Sequence, residues 1–191
     1  MKADVLAAAE SAGVGRVPES NELPPVRVNS LRRSIAANML NSWHTSPRVV
    51  YTMPVDCTAM KALRAQLKAR GAAVSYNHII MKVAAKALTE FPDMNARFPD
   101  NSLITGGTFT ITNLGNYGVT YFSPIINQPE LAILGVCAMA DTPVVRDGEV
   151  VIRPMMNLCL SADHRVIDGV MGAAFLKRVC ELLENPCLLL L

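Results

Sequence analysis

The 191-residue sequence is poor in charge and lacks several patterns that would indicate particular classes of protein. Only 18% of its residues are charged and 5% are aromatic, and neither a basic run nor interleaved aromatic residues indicate nucleic-acid binding. The longest apolar stretch, 131–140, is too short to cross a bilayer, and the amino terminus lacks a signal-peptide pattern. We therefore expect a soluble protein without a nucleic-acid or membrane partner.

Disulfide and metal patterns are also missing. The five cysteines are scattered and none stands in a C-x-x-C spacing, which argues against a disulfide framework and against a zinc site. His44 and His78 lie outside any cluster of potential metal ligands, so we expect both to be structural and predict no metal. These features favour a reducing compartment.

Apolar residues, in contrast, are abundant. They make up 51% of the chain and give a mean hydropathy of +0.27, more than a soluble monomer of this size needs. The length suits one domain, with or without an arm. We interpret the composition as that of a subunit that buries surfaces against copies of itself.

Composition and periodicity divide the chain into three parts. Residues 1–12 form a short helical piece, residues 13–25 have the Gly, Pro and Ser content of a flexible linker, and residues 26–191 carry the folded domain. A helix, a strand and two further helices are predicted first, then strands, then a last helix. The first helix is expected to begin at a cap at Asn29 or Ser30, and the others are expected at 60–70, from Ser75 to Pro92 and at 170–183. Strands are expected at 49–55, 108–112, 120–126, 131–140 and 156–160, and a hairpin turn is expected at Asp147-Gly148.

One stretch concentrates the chemistry, the L-C-L-S-A-D-H-R-V-I-D-G of residues 158–169. An apolar strand delivers His164 into a strand-to-helix connection, and Asp168 and Gly169 follow four and five residues later. A neutral imidazole is a suitable general base near neutral pH. The alternatives are a structural histidine at 164 and, at 168, an N-cap of the last helix with Gly169 permitting the turn.

This stretch resembles a known active-site signature. Its H-x-x-x-D-G pattern is similar to that of the coenzyme A-dependent dihydrolipoamide acyltransferases, the E2 cores of 2-oxo acid dehydrogenase complexes, and chloramphenicol acetyltransferases share the short form. The G-G-T-F-T-I-T-N-L-G of residues 106–115 and the L-R-R-S-I-A-A-N-M-L beginning at Leu31 also resemble that family.

The resemblance implies a fold and a site. The fold expected is α/β, a chloramphenicol acetyltransferase-like mixed sheet flanked by helices, built as a homotrimer from which larger cubic or dodecahedral cores are assembled. His164 is expected to deprotonate a thiol, and the Thr112 hydroxyl of an adjacent subunit to stabilise the oxyanion. Asp168 is expected to hold the loop through an ion pair with Arg32, supported by Gly169. Arg33 replaces Arg32 if the register slips by one, a solvated charge is the alternative for Arg32, and an ordinary strand residue is the alternative for Thr112.

The resemblance also implies substrates and partners. The substrates are coenzyme A and a lipoyl group on a separate domain, and the partners are the lipoyl domain and the E1 and E3 components. Residues 1–12 resemble the end of a peripheral subunit-binding domain, with a disordered tail as the alternative. The compartment is then the bacterial cytoplasm or the mitochondrial matrix.

One departure from the family lies between Ile104 and Thr105. Family members carry several tens of residues there, including a D-T-P-x-G-L-like strand that lines the substrate channel. A catalytically impaired, core-forming scaffold is therefore an alternative to the acyltransferase. A chloramphenicol-type hydroxyl acyltransferase is a third interpretation, but it leaves the linker and the leucine-rich end of the chain unexplained.

Overall fold

A computed structural model describes residues 26–191 of the chain. The chain divides into two units, residues 1–33 and 34–191, each of which is considered by itself. In the first unit, the Asn29 side chain caps helix α1 (Ser30–Thr45) by accepting the Arg32 backbone N–H at 2.8 Å. The predictions for residues 1–12 and 13–25 lie outside the described residues.

The second unit is built on a four-stranded mixed sheet in the order β1-β6-β5-β4. Three of its strands are antiparallel neighbours, and the short β4 runs parallel to β5, so the predicted α/β fold with a mixed sheet is confirmed. The elements are β1 (Arg48–Asp56), α2 (Thr58–Ala69), α3 (Tyr76–Glu90), β2 (Ala96–Arg97), β3 (Ile104–Thr105), β4 (Thr110–Asn113), β5 (Ala132–Arg146), β6 (Glu149–Asp163) and α4 (Gly169–Glu184).

One face of the sheet and the helices form the core. Alternate residues of β6, among them Leu158 and Leu160, are fully buried in one cluster with α2, α3 and α4, as the two-residue period of a strand requires. Phe175 of α4 lies edge-on to the rings of Phe91 and Phe109, with centroids 5.8 Å apart in both pairs. This packing fixes α4, and with it the turn that precedes α4.

The opposite face is covered by a loop, which corrects one prediction. Residues 120–126 were expected to form a strand, but they run irregularly, and their carbonyl groups bond to side chains of β6: Ser161 Oγ donates to Pro124 O at 2.7 Å, and Asn157 Nδ2 to Thr120 O at 2.9 Å. A Cβ on Gly135 would come within 2.8 Å of the Phe122 ring. The apolar residues of this segment therefore reflect contact with a sheet face and not strand pairing.

The predicted turn at Asp147-Gly148 is confirmed. Both residues are left-handed, with φ of 53° and 83°, the geometry of a type I′ hairpin joining β5 to β6. The predicted limit of β5 was too short, since the strand continues to Arg146.

Helix α1 forms where it was predicted, and it leaves large apolar side chains exposed. Within the second unit, Leu40 and Trp43 are 60% and 56% exposed, and Ser42 is the buried residue of the helix. The last residues of the chain are divided in the same way: Leu188 and Leu189 pack on the core, whereas Leu190 and Leu191 are exposed. Four of the five cysteines are buried as expected, and Cys187 is exposed.

The chain is continuous across Ile104–Thr105, where the family was expected to carry a longer segment. Strand β2 pairs with β3, and Gly107 N donates to Asn95 O at 2.9 Å. Asp100 and Asn101 turn the chain with positive φ values of 47° and 59°. A short hairpin thus closes the join. No helix in the described part of the chain is long and apolar enough to span a membrane.

Candidate active site

The turn between β6 and α4 places His164 at the surface on an anchored backbone. The His164 N–H donates to Pro47 O at 2.9 Å, and the Ile167 N–H returns to Asp163 O at 2.9 Å. The His164 side chain is exposed, and within residues 26–191 its imidazole makes no hydrogen bond or ion pair. A structural histidine would be expected to have its ring nitrogens satisfied, so the geometry favours a functional side chain.

Asp163, a fully buried residue that ends β6 directly before this turn, was not among the residues predicted for the site. Its carboxylate receives the Arg165 guanidinium on both oxygens, with Nε–Oδ1 at 3.0 Å and Nη2–Oδ2 at 2.7 Å. Burial raises the pKa of Asp163, but the hydrogen bonds from Arg165 and Ser46 outweigh it and hold this pKa below its ordinary value. The two charges that flank His164 in D-H-R are the sequence signal that could have revealed this pair.

Asp168 caps the last helix, as the structural alternative for it proposed. Its Oδ1 accepts the Met171 N–H at 2.8 Å, and its backbone is extended, as is usual for an N-cap. Tyr51 Oη donates to the Asp168 carbonyl at 3.3 Å. Burial, and secondarily the nearby Asp168 carboxylate, raises the pKa of the Tyr51 phenol.

Gly169 is not needed for the turn, which corrects that expectation. It is the first residue of α4 and lacks a positive φ, and nothing lies within 4 Å of where its Cβ would be. Its supporting role in the site stays a prediction.

Thr112 lies half-buried on β4, on the face opposite to the core-packed Ile111. It stands in a cross-strand row with Gly135, Cys159 and Thr52. The Glu130 carboxylate, buried at 4% exposure, holds β4 by accepting the Thr110 N–H at 3.0 Å.

His164 and Thr112 do not meet within one protomer. His164 is five residues beyond Cys159, and two strand spacings separate β4 from β6. With about 3.4 Å per residue and about 4.8 Å between strands, the two Cα positions are about 20 Å apart. Neither side chain is long enough to span that distance, so a site that uses both residues needs two protomers.

Arg32 lies in the first turn of α1, and Arg33 donates from Nη1 to Val28 O at 2.9 Å within the first unit. The pairing of Arg32 with Asp168 stays a prediction. In the described part of the chain, no group of three or more His, Cys, Asp or Glu residues is placed to hold a metal ion.

The fold and the turn define an α/β protein with an exposed histidine between the end of a strand and the start of a helix. The family model described as 2-oxoacid dehydrogenases acyltransferase (catalytic domain) matches residues 21–105 and 100–191. The chain belongs to this family, which confirms the family expected from its motifs.

The relatives support this assignment over much of the chain. The dihydrolipoyllysine-residue acetyltransferase component of the Bacillus subtilis pyruvate dehydrogenase complex is 31% identical, covering 96% of this chain and 54% of the relative. The chain therefore spans about half the length of the curated relatives it matches. The atomic structure of the cubic core of the pyruvate dehydrogenase multienzyme complex superposes with a TM-score of 0.80 at 28% identity, covering 93% of this chain and all of that one.

A further similar structure is the dihydrolipoamide acetyltransferase of Azotobacter vinelandii, with a TM-score of 0.80, 27% identity, and coverage of 93% of this chain and 100% of that chain. That enzyme was investigated for the catalytic roles of one serine, one histidine and one asparagine. In its sequence the serine precedes the histidine by 52 positions, and the asparagine follows the histidine by four.

The relatives are longer than this chain over the matched region. The Bacillus alignment extends over 244 positions, whereas 96% of this 191-residue chain is about 183 residues, so about 60 positions of the alignment have no counterpart here. The two stretches matched by the family model meet at residues 100–105. Both observations support the shortening between Ile104 and Thr105, which stays a prediction.

Proposed function

We propose that this chain is the catalytic part of a dihydrolipoamide acyltransferase, which transfers an acyl group between a lipoyl thiol and coenzyme A in the core of a 2-oxo acid dehydrogenase complex. The observation that carries the proposal is His164: its backbone is anchored on both sides, while its imidazole is exposed and has no partner within residues 26–191. A general base needs this combination of fixed position and free ring nitrogen.

Spacing supports the choice of partner residues. Here Thr112 precedes His164 by 52 positions and Asp168 follows it by four, the same intervals as the serine, histidine and asparagine of the Azotobacter enzyme. Threonine in place of serine keeps the hydroxyl. Since the Azotobacter enzyme has an amide where this chain has Asp168, the position does not need a proton-transferring carboxylate, and we assign Asp168 to holding the turn.

The residues then divide the reaction among them. A free thiol has a pKa of about 8.5 and a free imidazole one of about 6.5, so an imidazole is a suitable acceptor for the coenzyme A thiol proton, and we assign this role to His164. The resulting thiolate attacks the carbonyl of the acyl-lipoyl thioester. The Thr112 hydroxyl donates to the oxyanion, an interaction worth about 3 to 4 kcal/mol for one good donor. Collapse of the intermediate breaks the bond to the lipoyl sulfur, which recovers the proton from His164.

The assembly proposed is a homotrimer with its sites between protomers. The separation of His164 and Thr112 by about 20 Å within one chain supports this, because only a neighbouring protomer brings a second Thr112 near His164. Exposed apolar side chains, among them Leu40, Trp43 and Leu190, supply surface for such contacts. Larger cubic or dodecahedral cores, a lipoyl domain and the E1 and E3 components are the further partners proposed.

The direct test replaces His164 by alanine and measures acyl transfer from acetyl-coenzyme A to dihydrolipoamide. Loss of a general base is expected to lower kcat by about 100-fold to 10,000-fold. The control is His78→Gln, because His78 serves in the capping box of α3, where glutamine also accepts the Ser75 N–H. Full activity in His164→Ala would refute the proposal.

A second candidate function is a core-forming scaffold with impaired catalysis. It is favoured by the about 60 alignment positions that have no counterpart at the join. A calorimetric titration with coenzyme A separates the two: saturable binding supports the enzyme, whereas no binding at millimolar ligand supports the scaffold.

A further inference from the structure

We propose that Asp163 is a positioning residue, which fixes the backbone of His164 through Arg165 and Ser46 and so holds the imidazole where the reaction needs it. This inference rests on the proposed function. It assigns a role to a carboxylate that touches neither substrate nor the reacting atoms.

The contacts of Asp163 lock the residues on both sides of His164. On the C-terminal side, Asp163 Oδ1 accepts the Arg165 backbone N–H at 3.0 Å, and the two carboxylate oxygens accept the same residue's guanidinium. The Asp163 carbonyl accepts the N–H groups of Val166 and Ile167 at 3.2 and 2.9 Å. Arg165 therefore cannot change its backbone conformation without losing its side-chain ion pair.

On the N-terminal side, the carboxylate is tied to the segment that meets His164. The Ser46 hydroxyl bonds to Asp163, and Gln128 Nε2 donates to the Ser46 oxygen. The next residue after Ser46 is Pro47, whose carbonyl accepts the His164 N–H at 2.9 Å. One buried carboxylate thus fixes both the turn that carries His164 and the segment to which His164 is bonded.

The arrangement leaves the imidazole as the free group of the turn. The Arg165 guanidinium stacks over the Phe98 ring, with Cζ 5.3 Å from the ring centroid. Ile167 of the same turn is fully buried. Asp163 has no exposed surface, so its charge depends on Arg165 and Ser46 for compensation. Removing the charge therefore loosens the whole turn while leaving His164 itself unchanged.

The test compares Asp163→Asn with Glu90→Gln in the full chain. Glu90 is a matched control, because Arg178 binds its two oxygens at 2.7 and 3.1 Å but links α3 to α4 away from the turn. Asp163→Asn is expected to lower kcat about 100-fold, the scale of a 1 Å misplacement, while the KM for coenzyme A changes by less than about threefold. Glu90→Gln should leave kcat within about twofold of the wild type.

Hydrogen exchange of the His164 amide provides a readout that does not depend on catalysis. We expect faster exchange at this amide in Asp163→Asn and unchanged exchange in Glu90→Gln. If Asp163→Asn has the kcat of the wild type and its His164 amide exchanges at the wild-type rate, the positioning role is overturned. If the wild type itself transfers no acyl group, the proposed function is overturned instead. The exchange rate of the His164 amide would then still report whether Asp163 positions the turn.

Variants of Arg165 keep the test decisive if Asp163→Asn does not fold. The Arg165 side chain is 36% exposed, so Arg165→Met removes the ion pair by changing its partly exposed partner instead of the buried Asp163. It should reproduce the loss of kcat, and Arg165→Lys, which keeps one charged donor, should restore part of it. If Arg165→Met and Arg165→Lys both have the kcat of the wild type, the proposal is contradicted.

Discussion

Mixing two inactive variants should restore activity if the site lies between protomers. His164→Ala removes the base, and Thr112→Val removes the hydroxyl while keeping a β-branched strand residue, so each variant alone should lose at least about 100-fold in kcat. Within one chain the two Cα positions are about 20 Å apart, so a site that uses both residues needs the Thr112 of a neighbouring protomer. In a trimer that contains both variants, about one site in three receives an intact histidine from one protomer and an intact threonine from its neighbour.

The assay co-expresses the two variants with different affinity tags, isolates assemblies that carry both, and measures acyl transfer. We expect about one third of the wild-type rate per site, well above the rate of either variant alone. The double variant His164→Ala/Thr112→Val co-expressed with wild type and purified in the same way should give about one sixth of the wild-type rate per site by the same counting, and it calibrates the mixing. Mixed assemblies no more active than the separate variants would refute the two-protomer site.

Three further outcomes follow from the described contacts. Asp168→Asn should keep the helix cap and should change kcat by less than about threefold. Asp168→Ala should lower the free energy of unfolding by about 1 kcal/mol, measured by denaturant titration. A large loss of kcat in a folded Asp168→Asn variant would show that the carboxylate itself takes part in the reaction. Gly148→Ala should lower the Tm at a cost of about 1 kcal/mol because its φ is 83°, while Gly169→Ala should not, and the reverse order would contradict the turn geometry. The pKa of Asp163 is lowered in the folded state, so its stabilising contribution is present above the ordinary pKa of about 4 and is lost as the pH falls through the folded pKa. Below about pH 4, the Tm of the wild type should therefore fall more steeply with pH than the Tm of Asp163→Asn. Parallel curves of Tm against pH would rule this out.

The sequence predicted the features that follow from local patterns. The turn at Asp147-Gly148 has a specific backbone requirement, the helix that starts near Ser75 has an apolar helical period, and the motif around His164 places a polar residue between a buried strand and a helix. Each of these depends on residues close in sequence, which is why the spacing was sufficient.

Features that depend on distant residues were not accessible in this way. Residues 120–126 have apolar content that fits a strand, but contact with Gly135 and β6 decides their conformation. The role of Asp163 depends on Ser46, more than a hundred positions away, and on its complete burial. Whether α1 packs on its own chain or on another cannot be inferred from periodicity alone, because both arrangements bury the same side chains.

The hairpin of β2 and β3 has a consequence for engineering. Ile104 and Thr105 are consecutive residues of β3 with Cα atoms about 3.8 Å apart, so a guest domain whose own termini are neighbours could be spliced between them without stretching its host. Grafting there the corresponding segment of a relative would produce a chimera of ordinary family length. Comparing the two proteins would separate what that module contributes from what this smaller chain accomplishes without it.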